Sequence, residues 1–297
     1  MKISDILLFL NHTDTEYSFT GIDSIEIVGY SMPNNAKSNT IIWIKNLNEF
    51  NIDMLDTQMN LLIVSNMAHQ DFNIIVCVNP KVVFFEILKR FFVGKSKPFI
   101  AQNSIILTRT IGSDVSIGYN CYIGENVKVG NRTVIKHNVV IECPCTLGDD
   151  CVIESGVVIG NMGFGYYDSI ISKNNKVPDL GGVKIGNRVD IGANSIIVRG
   201  TLGDTIIGND TKIDTFVHIA HNVQIGDNCL IISHSMIAGS TIINKNSYIA
   251  PGAMVMNQKT VGQNAVIGMG AVSLYDVGDY EIVLGNPARV VGKNKKE

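Results

Sequence analysis

Three of the six histidines, His218, His221 and His234, lie close together in the sequence. Imidazoles offer two kinds of chemistry. A ring with an ordinary pKa of about 6.5 can take and return a proton near neutral pH, as a general base does. Three converging rings could instead hold a metal between subunits. Trp43, the one tryptophan, on a predicted strand end, offers a flat platform for a nucleobase. Core packing is the other reading of that ring. Cys143-Pro-Cys145 is spaced too tightly for a zinc pair, and no second pair matches it. The choice among these chemistries depends on where each side chain points, and therefore on the elements that carry it.

Those elements show themselves as an aliphatic residue at every sixth position. The register runs from Ile111 to Ile159, from Ile185 to Ile197 and from Ile207 to Ile267, in nine, three and eleven hexads without a gap at the key slot. Only 45% of the chain is hydrophobic, so chance would break such a run repeatedly. Neither a helix nor an ordinary strand has this period. A coil of three short faces does, and the pattern predicts a parallel β-helix of seven to eight coils, each about 4.8 Å high. Glycine often follows the aliphatic residue, as at Gly112, Gly130 and Gly226, which is expected to serve a tight corner. The fifth slot holds small or β-branched residues such as Val115, Thr133, Ser235, Ala253 and Ala271, expected to point inward. Cys121, Cys145, Cys151 and Cys229 also occupy it, so they read as buried small hydrophobes of a reducing compartment.

The frame assigns directions. His221 is in the third slot of its hexad, near a corner, and should face outward. His218 is in the sixth slot and His234 in the fourth, so their directions differ from that of His221, which disfavours a shared metal. Gly239 follows His221 by one full coil and should lie on the neighbouring rung.

The 297 residues allow two domains. Residues 1–98 lack the hexad and read as a small α/β domain, with helices at Ile3–Leu10 and Lys81–Phe92 and strands around Thr40–Lys45, Asn60–Val64 and Phe72–Val78. Residues 99–272 form the rod, interrupted at 160–184 by an insertion loop, and 273–297 read as a C-terminal loop and basic tail. A net charge of −3 gives no sign of nucleic-acid binding. The first apolar run, Ile6 to Leu10, is too short for a signal peptide or membrane span. A soluble, cytoplasmic protein is expected.

Gly163-Phe-Gly-Tyr166, Val177 to Gly186, Arg199-Gly200, Lys212-Ile-Asp214 and Ile219-Ala-His-Asn-Val-Gln-Ile-Gly226 resemble the UDP-3-O-acylglucosamine N-acyltransferases of lipid A biosynthesis. The resemblance implies a left-handed β-helix trimer with sites between subunits, moving an acyl group from acyl carrier protein to the amine of a UDP-linked sugar. Two features depart from that family. Gln258 stands where the family has a second functional histidine. The ending, Gly285-Asn-Pro-Ala-Arg289, resembles CoA-dependent acyltransferases of nucleotide-linked amino sugars. The expectation is therefore a CoA-dependent N-acyltransferase on a dTDP- or UDP-linked amino sugar, with the carrier-protein enzyme as first alternative. Rivals are a non-catalytic β-helix scaffold or sugar-binding module and, more distantly, a β-helical carbonic anhydrase.

By this resemblance His221 is the base and Asn222 and Tyr166 contact substrate. Trp43 and Asn46 would hold a nucleobase, although Glu49, with Phe50 beside it, stands at the family's second aromatic position. A backbone N–H at Gly239 could face the thioester oxygen, a corner glycine being the alternative. Ala253, Ala271, Pro287, Arg289 and Lys293 are expected to meet coenzyme A, and no metal is expected.

Overall fold

The computed structural model describes residues 1–94, 97–142 and 144–294. Cys143 and the last three residues of the basic tail, 295–297, lie outside the described residues. Two compact units, Met1–Ser96 and Lys97–Glu297, make up the chain.

The first unit is a five-stranded sheet with two helices. The strands β1 (Tyr17–Thr20), β2 (Gly29–Tyr30), β3 (Thr40–Trp43), β4 (Leu62–Ser65) and β5 (Asn73–Cys77) are ordered 1-5-4-3-2, with only β1 antiparallel to its neighbour. The strands β3 to β5 read as near-continuous apolar runs because the parallel centre of the sheet is covered on both faces. Helix α1 (Ile3–Leu10) buries Ile3, Ile6 and Leu10. Helix α2 (Pro80–Phe91) starts with proline in its first turn, and the Asn79 side chain accepts from Val82 N–H. β1 and β2 have no strong β-branched signature and were not legible in the sequence.

The second unit is a parallel β-helix. Its three faces carry eight, ten and nine strands, the ten including a terminal hairpin. Equivalent residues on successive coils pair in register, Ile135 with Ile153 and Ile219 with Ile237. The rod begins earlier than the hexad did, at Ile105–Ile106, and continues past it. Residues 273–294 are not a plain loop and tail. Glu281–Leu284 adds in parallel to Val266–Ile267, then pairs antiparallel with Arg289–Lys293, and Val277, Val283 and Ala288 pack into the prism core.

Corner chemistry differs from the expectation in one respect. The left-handed residue is in the fourth slot, not the second: Asn120, Asn138, Asn222, Asn228 and Asn246 all have φ of 57–60°. Asparagine and aspartate tolerate this conformation better than other side chains do. The second-slot glycines keep ordinary φ and serve spacing instead, except Gly160 (φ 90°), where the insertion leaves the rod. A β-carbon on Gly112 would lie 2.6 Å from the Asn131 nitrogen of the next coil.

Inside the prism, polar fifth-slot residues close a second network. Thr211 Oγ donates to the Gly226 carbonyl (2.9 Å) and accepts from Cys229 N–H (3.1 Å). Thr133 does the same with Gly148 and Cys151. The cysteine thiols play the same part: Cys121 Sγ donates to Lys136 O and Cys229 Sγ to Asn244 O. Burial pushes the Cys229 thiol up to about 11, so it stays protonated and inert.

Thr211→Val, equal in shape, should leave one carbonyl and one N–H unsatisfied in the core and cost about 1–3 kcal/mol. The outward-facing Thr146→Val should change stability by less than about 0.5 kcal/mol. Urea unfolding of both variants checks this, and equal midpoints would remove the network from the account of stability.

Candidate active site

His221 stands on the corner that follows the strand His218–Ile219, and three neighbours fix its ring. The first is Asn222. Its Oδ1 accepts from Thr201 N–H (3.0 Å) and its Nδ2 donates to the Gly203 carbonyl (3.0 Å), so the orientation of the amide is set. His221 Nδ1 lies 3.2 Å from that same Oδ1. An oxygen already accepting a hydrogen bond offers no proton, so Nδ1 carries the hydrogen and Nε2 keeps its lone pair. The tautomer follows from the hydrogen-bond network.

The second neighbour is Gly239, one coil on. A β-carbon there would lie 2.5 Å from Nε2 and 2.7 Å from Cε1 of His221. Its φ is ordinary, so the reason for glycine is the space the ring occupies. Among the described residues no protein group accepts from Gly239 N–H. The third is Gly163, where a β-carbon would lie 3.5 Å from His221 Cδ2.

One of these neighbours, Gly163, and both partners of Asn222, Thr201 and Gly203, come from breaks in the register. Ile159, Ile197 and Ile219 pair on successive coils. The insertion at 160–184 leaves the rod after Ile159, and the short slip at 200–204 follows Ile197. Both breaks therefore open at the corner that carries His221. The hexad could not assign roles to Gly163, Thr201 or Gly203, because they lie where the hexad stops; the breaks themselves were the available signal.

Other expected residues fall elsewhere. Tyr166 belongs to an exposed hairpin of the insertion, Tyr166–Tyr167 with Asn175–Lys176. Its ring packs edge-on against Phe164, with Lys176 Nζ 5.0 Å from its centroid. Ala253 and Ala271 are fully buried in the prism core, which corrects their placement at a cofactor: the fifth slot turns them inward. Pro287 and Arg289 are exposed. Lys293 Nζ is already held by Glu281 Oε1 (3.3 Å) and the Asp279 carbonyl. Gly278 N–H and then Lys293 keep the Glu281 carboxyl below the usual range.

His218 projects outward from its strand, and burial pulls its pKa down. His234 stacks on Phe216 at 5.2 Å. The three imidazoles are thus on different surfaces. Among the described residues no three His, Cys, Asp or Glu side chains converge as metal ligands.

In the first unit, Trp43, Asn46, Glu49 and Phe50 line one cleft of about 800 Å³ together with Tyr30, Phe84 and Phe85. Trp43 is half-buried and tilted against Phe84, so it packs and lines the cleft at once. Asn46 Oδ1 accepts from Asn48 N–H, and its Nδ2 donates to Glu49 Oε1 (2.7 Å).

Known proteins share parts of this chain. The family described as bacterial transferase hexapeptide (six repeats) matches residues 110–143, 126–161 and 204–239. A protein of Arabidopsis thaliana named probable UDP-3-O-acylglucosamine N-acyltransferase 2, mitochondrial, is 52% identical over 99 residues, 33% of each chain. The UDP-3-O-acylglucosamine N-acyltransferase of Methylococcus capsulatus is 42% identical over 97 residues, 33% of this chain and 27% of that one. The match thus spans a third or less of these relatives' length. The solved UDP-N-acetylglucosamine acyltransferase of Francisella novicida superposes with a TM-score of 0.60 at 27% identity, covering 66% of this chain and 71% of the other. The rod is a left-handed parallel β-helix. The chain thus carries segments similar to the hexapeptide-repeat transferases and, over a third of its length, is similar to UDP-3-O-acylglucosamine N-acyltransferases.

Proposed function

We propose that the chain is an N-acyltransferase that moves an acyl group from a thioester to the amine of a UDP-linked, 3-O-acylated glucosamine. The observation that carries this is the His221 ring, held with Nδ1 towards Asn222 and Nε2 beside Gly239. The names of the relatives support the acceptor. The amine nitrogen attacks the thioester carbonyl carbon, and Nε2 takes a proton from that nitrogen. Gly239 N–H is the candidate donor to the oxyanion. The C–S bond then breaks, and the thiolate leaves with the proton returned from the imidazolium.

The relatives favour a carrier-protein thioester as donor over the CoA thioester that the C-terminal motif implied. CoA is the second reading, on one observation: Glu281–Leu284 and Arg289–Lys293 form a β-hairpin that presents the Gly285-Asn-Pro-Ala-Arg289 motif resembling CoA-dependent acyltransferases. In the first unit, the aromatic cleft around Trp43 is the proposed place of the uracil base, with Phe50, Phe84 and Phe85 supplying the apolar walls that Glu49 does not.

The nine-stranded face supports a homotrimer. Its outward row runs Tyr122, Val140, Val158, Ile196, His218, Met236, Met254 and Val272, apolar except at His218. The row on another face reads Lys128, Thr146, Lys184, Ile206 and Gln224. A continuous apolar row calls for a partner, and a closed cyclic assembly of copies meets that need. His221 follows directly on a strand of this face, so a packed copy would shield the site from water.

Three outcomes follow. His221→Ala should lower turnover by about two to four orders of magnitude while the protein stays folded, and the ascending limb of the pH–rate profile should vanish. A thiol-release assay, with acyl-carrier-protein and acyl-CoA donors crossed against UDP- and dTDP-amino sugars, reads this and names the donor. A folded His221→Ala protein keeping more than about a tenth of wild-type turnover would remove the essential base. Gly239→Ala should displace the ring and lower turnover about a hundredfold with the melting temperature nearly unchanged; full activity would mean the ring is not held there. By light scattering, the wild type should have three times the 32.4 kDa chain mass, and Met254→Lys should shift it towards monomer. A monomeric wild type at micromolar concentration would end the trimer reading.

A further inference from the structure

Asp179 is a carboxylate with no part in the chemistry above, yet it is only 6% exposed. A buried carboxylate is costly unless donors surround it. Here Oδ2 accepts from Gly163 N–H at 2.8 Å and Oδ1 from Thr201 Oγ–H at 2.9 Å. The two donors belong to different breaks in the register. Gly163 is in the long insertion, as Asp179 is, and Thr201 is in the short slip.

Both donors lead to His221. A β-carbon on Gly163 would lie 3.4 Å from Asp179 Oδ2 and 3.5 Å from His221 Cδ2, so the backbone that Asp179 grips packs on the ring edge. The backbone N–H of Thr201, whose hydroxyl Asp179 grips, donates to Asn222 Oδ1, the atom that faces His221 Nδ1. Backbone bonds join the loops beside Asp179, from Leu180 N–H to Thr201 O (2.7 Å) and from Gly181 N–H to Gly200 O (3.0 Å), but among the described residues none of them reaches Gly163. We propose that Asp179 is a positioning residue: its one carboxylate ties the two loops together, and the tie fixes both the edge of the His221 ring and the acceptor that sets its tautomer. The role rests on the reading of His221 as the base. A carboxylate suits the task because hydrogen bonds to an ionised acceptor are roughly twice as strong as neutral ones.

The experiment separates a tie from a charge effect. In Asp179→Asn the amide oxygen can accept from Gly163 N–H while the amide nitrogen donates to Thr201 Oγ, so the tie survives without the charge. This variant should keep kcat within about threefold, since only the strength of the two bonds changes. Asp179→Ala should lower kcat about ten- to a hundredfold, as expected for a misplaced catalytic group, with little change in KM. Thr201→Val, which keeps the backbone N–H, should give a smaller loss and serves if Asp179→Ala does not fold. A second readout needs no substrate. In protein with 15N-labelled histidine, assigned with a His221→Gln variant, the wild-type His221 signal should be that of the single Nδ1–H tautomer. Asp179→Asn should keep it, and Asp179→Ala should show a mixture. An unchanged tautomer in folded Asp179→Ala overturns the proposal, as does an Asp179→Asn protein as impaired as Asp179→Ala. Failure to turn over any acyl donor would instead overturn the proposed function and leave the tautomer result to decide the role of Asp179.

Discussion

The structure depends on one constraint, the hydrogen-bond ladder that joins each coil to the next. On successive coils the faces donate to the coil beyond, as Gly226 N–H does to Ile243 O and Ala238 N–H to Val255 O. The ladder holds only if equivalent residues stay in register, and register holds only if each face keeps its aliphatic residue inward. The six-residue period is therefore the sequence image of a backbone requirement. The requirement also explains the second-slot glycines, whose missing β-carbons let neighbouring coils approach to ladder distance.

A rod built this way tolerates extra residues only at corners, where the chain already turns and the ladder is thinnest. Two breaks occur, and both fall after strands of one face, on successive coils just before the coil of His221. The backbone groups of those loops must find other partners. Several find them around the histidine: Thr201 N–H on Asn222, the Gly203 carbonyl on Asn222, Gly163 N–H on Asp179. Meeting the hydrogen-bond demands of the loops and fixing the ring are the same event.

How much of this was legible in the sequence follows from the same division. The rod, its inward slots and the outward third-slot placement of His221 were readable, because the ladder repeats and the repeat leaves a pattern. The helices of the first unit were readable from their apolar spacing, but β1 and β2 were not. They sit at the ends of the sheet order, where fewer buried side chains mark a strand. At the site, His221, Asn222 and Gly239 could be placed by counting along coils. Asp179, Gly163 and Thr201 could be seen as parts of a motif but not as neighbours, since no period runs through the loops. Ala253 and Ala271 do not line the surface, because the fifth slot turns both into the prism core.

The position of Gly239 shows how the two levels meet. The ladder sets coils about 4.8 Å apart, and side chains on neighbouring rungs can stack, as Phe216 and His234 do, but the His221 ring instead lies across the next rung, 2.5 Å from where a β-carbon on residue 239 would be. Any residue with a β-carbon at 239 would have to displace the ring towards solvent, away from Asn222. Any ring that moved would lose the acceptor at Nδ1 and with it the tautomer that leaves Nε2 free. A glycine on the next rung is thus a condition for a base at 221. It follows from the way the His221 ring lies over the next rung and holds whether or not its own N–H touches the oxyanion.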